Sequence, residues 1–187
     1  MQLLLYGTLL GSIIALGAVG VTLTFGILGF ANFAHGDLMT LGAYVCFLIY
    51  TQLALPFWLG VVAAVPATIF AAMLIDRVLF RRFRTRAPII SQISSFGAAL
   101  ILRSLIQIIW GTGTHLYSSQ LVLAQRFAGI RYKWDQLGII LVTLGVVVAL
   151  QLFLQRTKVG KAMRAMADNP TLARLSGIDT ERVILWT

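Results

Sequence analysis

Asn32, His35 and Asp37 are the residues of this 187-residue chain whose types and spacing invite chemistry. An amide, an imidazole and a carboxylate within six residues can donate, accept and carry charge, which is what a polar solute needs. They sit in Gly26-Ile27-Leu28-Gly29-Phe30-Ala31-Asn32-Phe33-Ala34-His35-Gly36-Asp37, and Asp37 is the only charged side chain between Met1 and Ile75. An ionisable group between two long apolar runs is costly at membrane depth and is kept under constraint. The stretch is either a turn at a membrane surface or the break of a discontinuous helix that faces a cavity. A hydrolase or metal site using His35, Asp37 and His115 is disfavoured, because no nucleophile and base are grouped and the histidines lie far apart in sequence. The chain therefore does not read as an enzyme.

The elements that must position these residues are apolar helices. The chain is 59% hydrophobic and 11% charged, against about 25% charged residues in a soluble domain. The net charge of +9 raises the question of nucleic acid, but its distribution answers it. Of 15 Lys and Arg, five lie in Arg77–Arg86 and six in Arg156–Arg182, between apolar spans. That is the positive-inside pattern of a polytopic membrane protein, so no nucleic-acid partner is expected. The single cysteine, Cys46, excludes an internal disulfide, and the basic n-region of a cleavable signal is missing before Leu3.

Taken in order, Leu3–Phe30 is a first span carrying the small-residue pair Gly7 and Gly11. Leu38–Leu55 is a second, and Phe57–Ile75 a third with Pro66 inside it. Asp76–Arg86 is expected as a basic loop in contact with the cytoplasm or with anionic lipid. Pro88–Trp110 is a fourth span. Its Gln92, Ser95, Arg103 and Gln107 recur at helical spacing, so either they share a face looking into the bundle or Arg103 snorkels to the surface. Gly111–Leu137 is expected outside, with little secondary structure, and Gly138–Phe153 is a fifth span. The expected fold is all-α and polytopic, about five transmembrane helices in one domain over residues 1–187, with the amino terminus outside. The apolar run beginning at Val183 stops at Thr187 as a sixth span starts, which suggests a fragment or truncated form.

A second constellation lies in the basic segment 156–182. Gly160-Lys161-Ala162-Met163-Arg164-Ala165-Met166-Ala167-Asp168 reads as a short amphipathic helix. Asn169 suits an N-cap, Pro170 the first helical position, Gly177 a C′ residue, and Asp179 the next cap. Such paired helices either dock a soluble partner or rest on lipid headgroups.

The stretch Gly29–Asp37 followed by Gly42-Ala43-Tyr44, then Gly160–Ala165 and Ala173-Arg174-Leu175-Ser176-Gly177-Ile178, resembles the branched-chain amino-acid ABC importer permeases of the LivH type. The resemblance implies a multi-pass subunit of the bacterial inner (cytoplasmic) membrane. It also implies a second permease subunit, two cytoplasmic ATPase subunits that bind the ATP, and a periplasmic substrate-binding protein; this chain itself would hold no cofactor. It implies a coupling segment whose family pattern is Glu-Ala-Ala, three residues, Gly. Here Thr171-Leu172-Ala173 stands before Gly177 and the glutamate is absent. On this reading Gly160, Arg164, Ala165, Asp168, Asn169, Pro170, Ala173 and Gly177 belong to ATPase docking. Asn32, Phe33, His35, Gly36, Asp37, Tyr44 and Arg103 belong to the substrate path, unless Asn32, His35 and Asp37 only hold the inter-helix turn. A permease for urea or short amides, or an ATP-independent channel or secondary transporter, is the alternative.

Overall fold

The structure is a computed structural model that describes residues 2–83, 87–117, 125–127 and 130–187, the short strands by their backbone alone. Helix α1 is Gln2–Leu28. Helix α2 is His35–Phe47 and continues as a π-helical stretch, Leu48–Gln52. Helix α3, Phe57–Phe83, contains a π-helical turn at Asp76–Phe80. Helix α4 is Pro88–Trp110. A two-stranded antiparallel hairpin, β1 (Gln125–Phe127) and β2 (Ile130–Tyr132), precedes α5, Trp134–Arg156. Three short helices follow: α6 (Lys158–Asp168), α7 (Pro170–Leu175) and α8 (Thr180–Leu185).

Among the described residues, α1, α3, α4 and α5 are long and apolar enough to cross a bilayer. They expose large side chains such as Ile14 (68%), Phe70 (69%) and Ile108 (79%), a surface that only hydrocarbon solvates cheaply. Hydroxyls on α1 turn back on their own backbone: Thr8 donates to Leu4 O at 2.8 Å and Thr22 to Ala18 O at 2.9 Å. This spares an unpaired donor in lipid. The second expected span, Leu38–Leu55, begins earlier, at His35, and ends at Gln52. Its polar first turn and Gln52 end set it apart from the other four.

Two boundaries differ from the sequence expectation. The basic loop expected from Asp76 is still helix through Phe83, because the ladder absorbs one extra residue in the π-helical turn and carries Asp76 and Arg77 on the helix. Residues 84–86 lie outside the described residues. The fifth span is longer than Gly138–Phe153 at both ends. Gln136 folds back so that its side chain accepts from the Lys133 N–H at 3.2 Å, starting α5 at Trp134.

The chain divides into two compact units, Met1–Gly29 with Gln120–Thr187, and Phe30–Ser119. In the first, α1 packs on α5 and α6. Its core joins Ile27, Met163, Met166, Ala173 and Val183. In the second, α2 and α3 form a close hairpin. Gly60 permits it: a Cβ there would stand 2.9 Å from Cys46 Sγ and 3.0 Å from its carbonyl oxygen. Cys46 itself is buried. Ala34, Ala98 and Ala99 form a small-residue core where α4 meets the start of α2.

Candidate functional site: a polar helix break pinned to a neighbouring helix

Gly29 ends α1. Its φ of +74° is the left-handed conformation that glycine adopts without a Cβ penalty, and its N–H donates to Phe25 O at 2.9 Å. The chain then crosses five irregular residues before α2. Asn32 organises that crossing: its Oδ1 accepts from the Ala34 N–H at 3.1 Å, and its carbonyl accepts from the His35 N–H at 3.3 Å.

Ser95 of α4 holds the same loop from the side. Its hydroxyl is fully buried, accepts from the Phe33 N–H at 3.1 Å and donates to Gln92 O at 2.7 Å. A backbone N–H in an irregular segment has no helical partner, and leaving it unpaired away from water costs about 1–3 kcal/mol. Ser95 removes that cost. The Phe33 ring meets Phe96 edge to face, with centroids 6.2 Å apart.

Two turns further along α4, Arg103 Nε donates to Asp37 Oδ1 at 3.1 Å. The two side chains are unequally placed: Asp37 is 8% exposed and Arg103 62%. The carboxylate is the buried partner, and the terminal guanidinium nitrogens stay open to a further acceptor. Ser95 is the eighth residue of α4 and Arg103 the sixteenth of 23. The break therefore lies alongside the middle of α4. Arg103 is about 10 Å from the Trp110 end, at about 1.5 Å per residue.

Asn32, Phe33, Asp37 and Arg103 are thus brought together. His35 opens α2, with no hydrogen-bond partner for its ring among the described residues. Gly36 supplies the carbonyl that Thr40 Oγ1 donates to at 3.0 Å. Tyr44 stands two turns up α2, against Trp110 with ring centroids 5.1 Å apart. There the segment after α4 returns over α2. Tyr117 donates its hydroxyl to Ala43 O at 2.6 Å, and His115 Nε2 lies 2.8 Å from Trp110 O. Burial, then the Cys46 thiol, pushes the Tyr117 hydroxyl above its ordinary pKa, so it remains a donor. His35 and His115 are at different ends of α2. Among the described residues no three of His, Cys, Asp and Glu cluster as a metal would require.

In the other unit, α6 crosses the end of α5 at Gly160. A Cβ there would come within 2.6 Å of Leu154 O and still closer to Phe153 O. Thr157 caps α6, its Oγ1 accepting from the Gly160 N–H at 2.9 Å. The helix buries Met163 and Met166 and turns Arg164 and Asp168 outward, with Ala165 half-buried. Asn169 caps α7 through the N–H groups of Thr171 and Leu172, at 3.0 and 3.1 Å, and Pro170 opens that helix. Gly177 takes φ +82° beyond its end, and Asp179 Oδ1 accepts from the Arg182 N–H at 3.1 Å, capping α8. Gly160 and Ala173 face inward. The outward residues of α7 include Leu172 (59% exposed) and Leu175 (79%).

Sequence reasoning had no hold on the Asp37–Arg103 pairing, on Ser95 as the support of the loop, or on the ring cluster of Phe47, His115 and Tyr117. The polar residues of α4 at helical spacing were the signal available for the first two.

Among the described residues, four membrane-length apolar helices, one of them paired through Arg103 with the buried Asp37 carboxylate, define a multi-pass membrane protein. Residues 3–187 match the family described as branched-chain amino acid transport system / permease component, and the chain belongs to that family. Over its whole length it is 33% identical to the high-affinity branched-chain amino acid transport system permease protein LivH of Escherichia coli K12 and 32% to that of Salmonella typhimurium. It is 30% identical to the corresponding permease BraD of Pseudomonas aeruginosa. The chain spans 65% of the length of each of these relatives. No solved structure matches it. Hydrocarbon-length α-helices, unlike the barrels of outer membranes, place it in the inner membrane as a multi-pass protein.

Proposed function

We propose that the chain is a permease subunit of an ATP-driven importer for branched-chain amino acids. The observation that carries the reading is the family match over residues 3–187. In this reading the α2 break lines the substrate path. Arg103 uses Nε on Asp37 and offers its remaining fork to the substrate carboxylate, a planar, bidentate partner. The N-terminal end of α2 adds a favourable dipole for an anion. Asn32, Phe33, His35, Gly36 and Tyr44 complete the path.

The basic segments 77–86 and 156–182 face the cytoplasm, as the charge distribution favours. The α6–α7 pair is then the grip of the ATPase. Its rigidity comes from the buried methionines, the Asn169 cap and the Gly177 turn. Its contact surface comes from Arg164, Asp168, Leu172 and Leu175, with Ala165 and Pro170 beside them. Gly160 and Ala173 serve the module from inside, by allowing helices to approach. The partners are a second permease, two ATPases, a periplasmic binding protein and the surrounding lipid, and the ATP is held by the ATPases.

The test is uptake into proteoliposomes holding the assembled transporter, the binding protein and internal ATP. L-leucine, L-isoleucine and L-valine are expected to enter only with hydrolysable ATP. Uptake without ATP, or uptake of urea or acetamide in their place, overturns the reading.

A further inference from the structure

We propose that Arg77, Arg81 and Arg82, with the apolar face of α3 that leads up to them, form a binding site for an anionic phospholipid. The site does not rest on the importer reading; it needs only that α3 crosses the bilayer.

The end of α3 has two sides. Ile75 and Leu79 pack on Ala34, Ala98 and Ala99, and Phe80 is buried with its ring 5.2 Å from Phe30. These contacts fix the rotation of the helix end from inside. Phe70, Met73, Leu74 and Val78 are exposed, and so are Arg77, Arg81 and Arg82. Their positions, 70, 73–74, 77–78 and 81–82, repeat every four residues. In a plain α-helix eight residues overshoot alignment by about 80°, which would carry Arg81 and Arg82 off the line of Met73 and Leu74. The π-helical turn at Asp76–Phe80 closes on the fifth residue and takes up that drift. The helix thus presents one continuous strip, apolar along the span and cationic at its end.

Depth agrees with the strip. Trp58, exposed at the start of α3, carries the amphipathic ring that sits at a membrane interface. Arg77 follows 19 residues later and Arg82 24 residues later, about 28 and about 36 Å along the axis. With a hydrocarbon core of about 30 Å, Arg77 stands at its far edge and Arg81 and Arg82 stand in the headgroup layer. None of the three has a hydrogen-bonding or ionic partner among the described residues. Asp76, beside them, is half-buried and already engaged. Guanidinium forks without acceptors match phosphate oxygens bidentately, and basic residues at the surface of an anionic leaflet add their attractions. A free anion satisfies the arginines alone. A phospholipid satisfies both parts of the strip, its headgroup on the arginines and its acyl chains along Phe70, Met73, Leu74 and Val78.

The test is native mass spectrometry of the purified protein from micelles holding equal amounts of phosphatidylglycerol and phosphatidylcholine. Phosphatidylglycerol is expected to be retained about 10-fold or more over phosphatidylcholine. The triple variant Arg77→Gln, Arg81→Gln, Arg82→Gln is expected to lose that preference. The triple variant Arg156→Gln, Lys158→Gln, Lys161→Gln removes as much charge elsewhere and is expected to keep it. Equal retention of the two lipids, or equal loss in both variants, overturns the site. So does release of phosphatidylglycerol by excess inorganic phosphate, which marks a site for a free anion. If the arginine variant fails to fold, phosphatidylglycerol with a diazirine in its acyl chain decides on the unaltered protein. Adducts are expected on Phe70, Met73, Leu74 or Val78, suppressed by phosphatidylglycerol and not by phosphatidylcholine; adducts spread evenly over α1 and α5 as well overturn the site.

Discussion

Replacing Arg103 by Gln should damage the protein more than replacing both Arg103 and Asp37. At 3.1 Å and an effective dielectric of about 20, two unit charges attract by about 5 kcal/mol. That figure is an upper bound, because the guanidinium is 62% exposed while the carboxylate is 8% exposed, and part of the attraction is screened. Removing one member of a buried pair typically costs about 3–5 kcal/mol, mostly from the charge left behind. Discounting for the exposed arginine leaves about 2–3 kcal/mol for Arg103→Gln, with Asp37 stranded beside Ala34 and the α3–α4 wall. Asp37→Asn should cost less, about 1 kcal/mol, since an amide is cheaper to bury than a carboxylate. The double variant should lose less than the sum of the two single losses, by a coupling of about 1–2 kcal/mol. Reversible unfolding in mixed micelles, run on all four proteins, reads that coupling. Single losses that simply add, within about 0.5 kcal/mol, would refute the ion pair as the clamp between α2 and α4.

Three further outcomes follow from the same geometry. Gly160→Ala should unseat α6 from the end of α5, at about 1–3 kcal/mol for overpacking less about 1 kcal/mol of helix propensity gained; a lower melting temperature with reduced ATPase stimulation checks it, and a higher melting temperature contradicts the close approach. Ser95→Ala should leave the Phe33 N–H unpaired at about 1–3 kcal/mol, seen as faster amide exchange at Phe33 and Ala34 with α4 unchanged. Asn169→Ala should cost about 1 kcal/mol by loss of the α7 cap, weakening co-purification of the ATPase while leaving labelling of the α2 break unaltered.

What could be read from the sequence is what short-range rules govern. Asn169, Pro170, Gly177 and Asp179 stand at the capping positions expected of them, because a cap is decided by three or four neighbouring residues. The break before α2 was legible for a similar reason: Gly29, Asn32 and Asp37 interrupt an apolar run that has no other charge. Its form was not, since a surface turn and a broken helix have the same residues. Only contacts across more than sixty positions separate them, Phe33 with Ser95 and Asp37 with Arg103. Arg103 alone reads equally as a snorkelling cation. Asp76 and Arg77 suggested a loop because charge usually ends a span, but a π-helical turn carries the helix past them. The ring cluster of Phe47, His115 and Tyr117 was hidden because His115 and Tyr117 lie in a segment whose polarity suggested an exposed loop.

The claim on which the account depends is that the Asn32–Asp37 break faces the substrate path. Cys46 is the chain's one cysteine, so Phe33→Cys and Met39→Cys can each be made in a Cys46→Ala background of the assembled transporter. Labelling rates with a membrane-impermeant thiol reagent then read the environment directly. The account expects both positions to react and L-leucine to slow the reaction; reaction with lipid-soluble reagents alone, at rates leucine does not change, would contradict it.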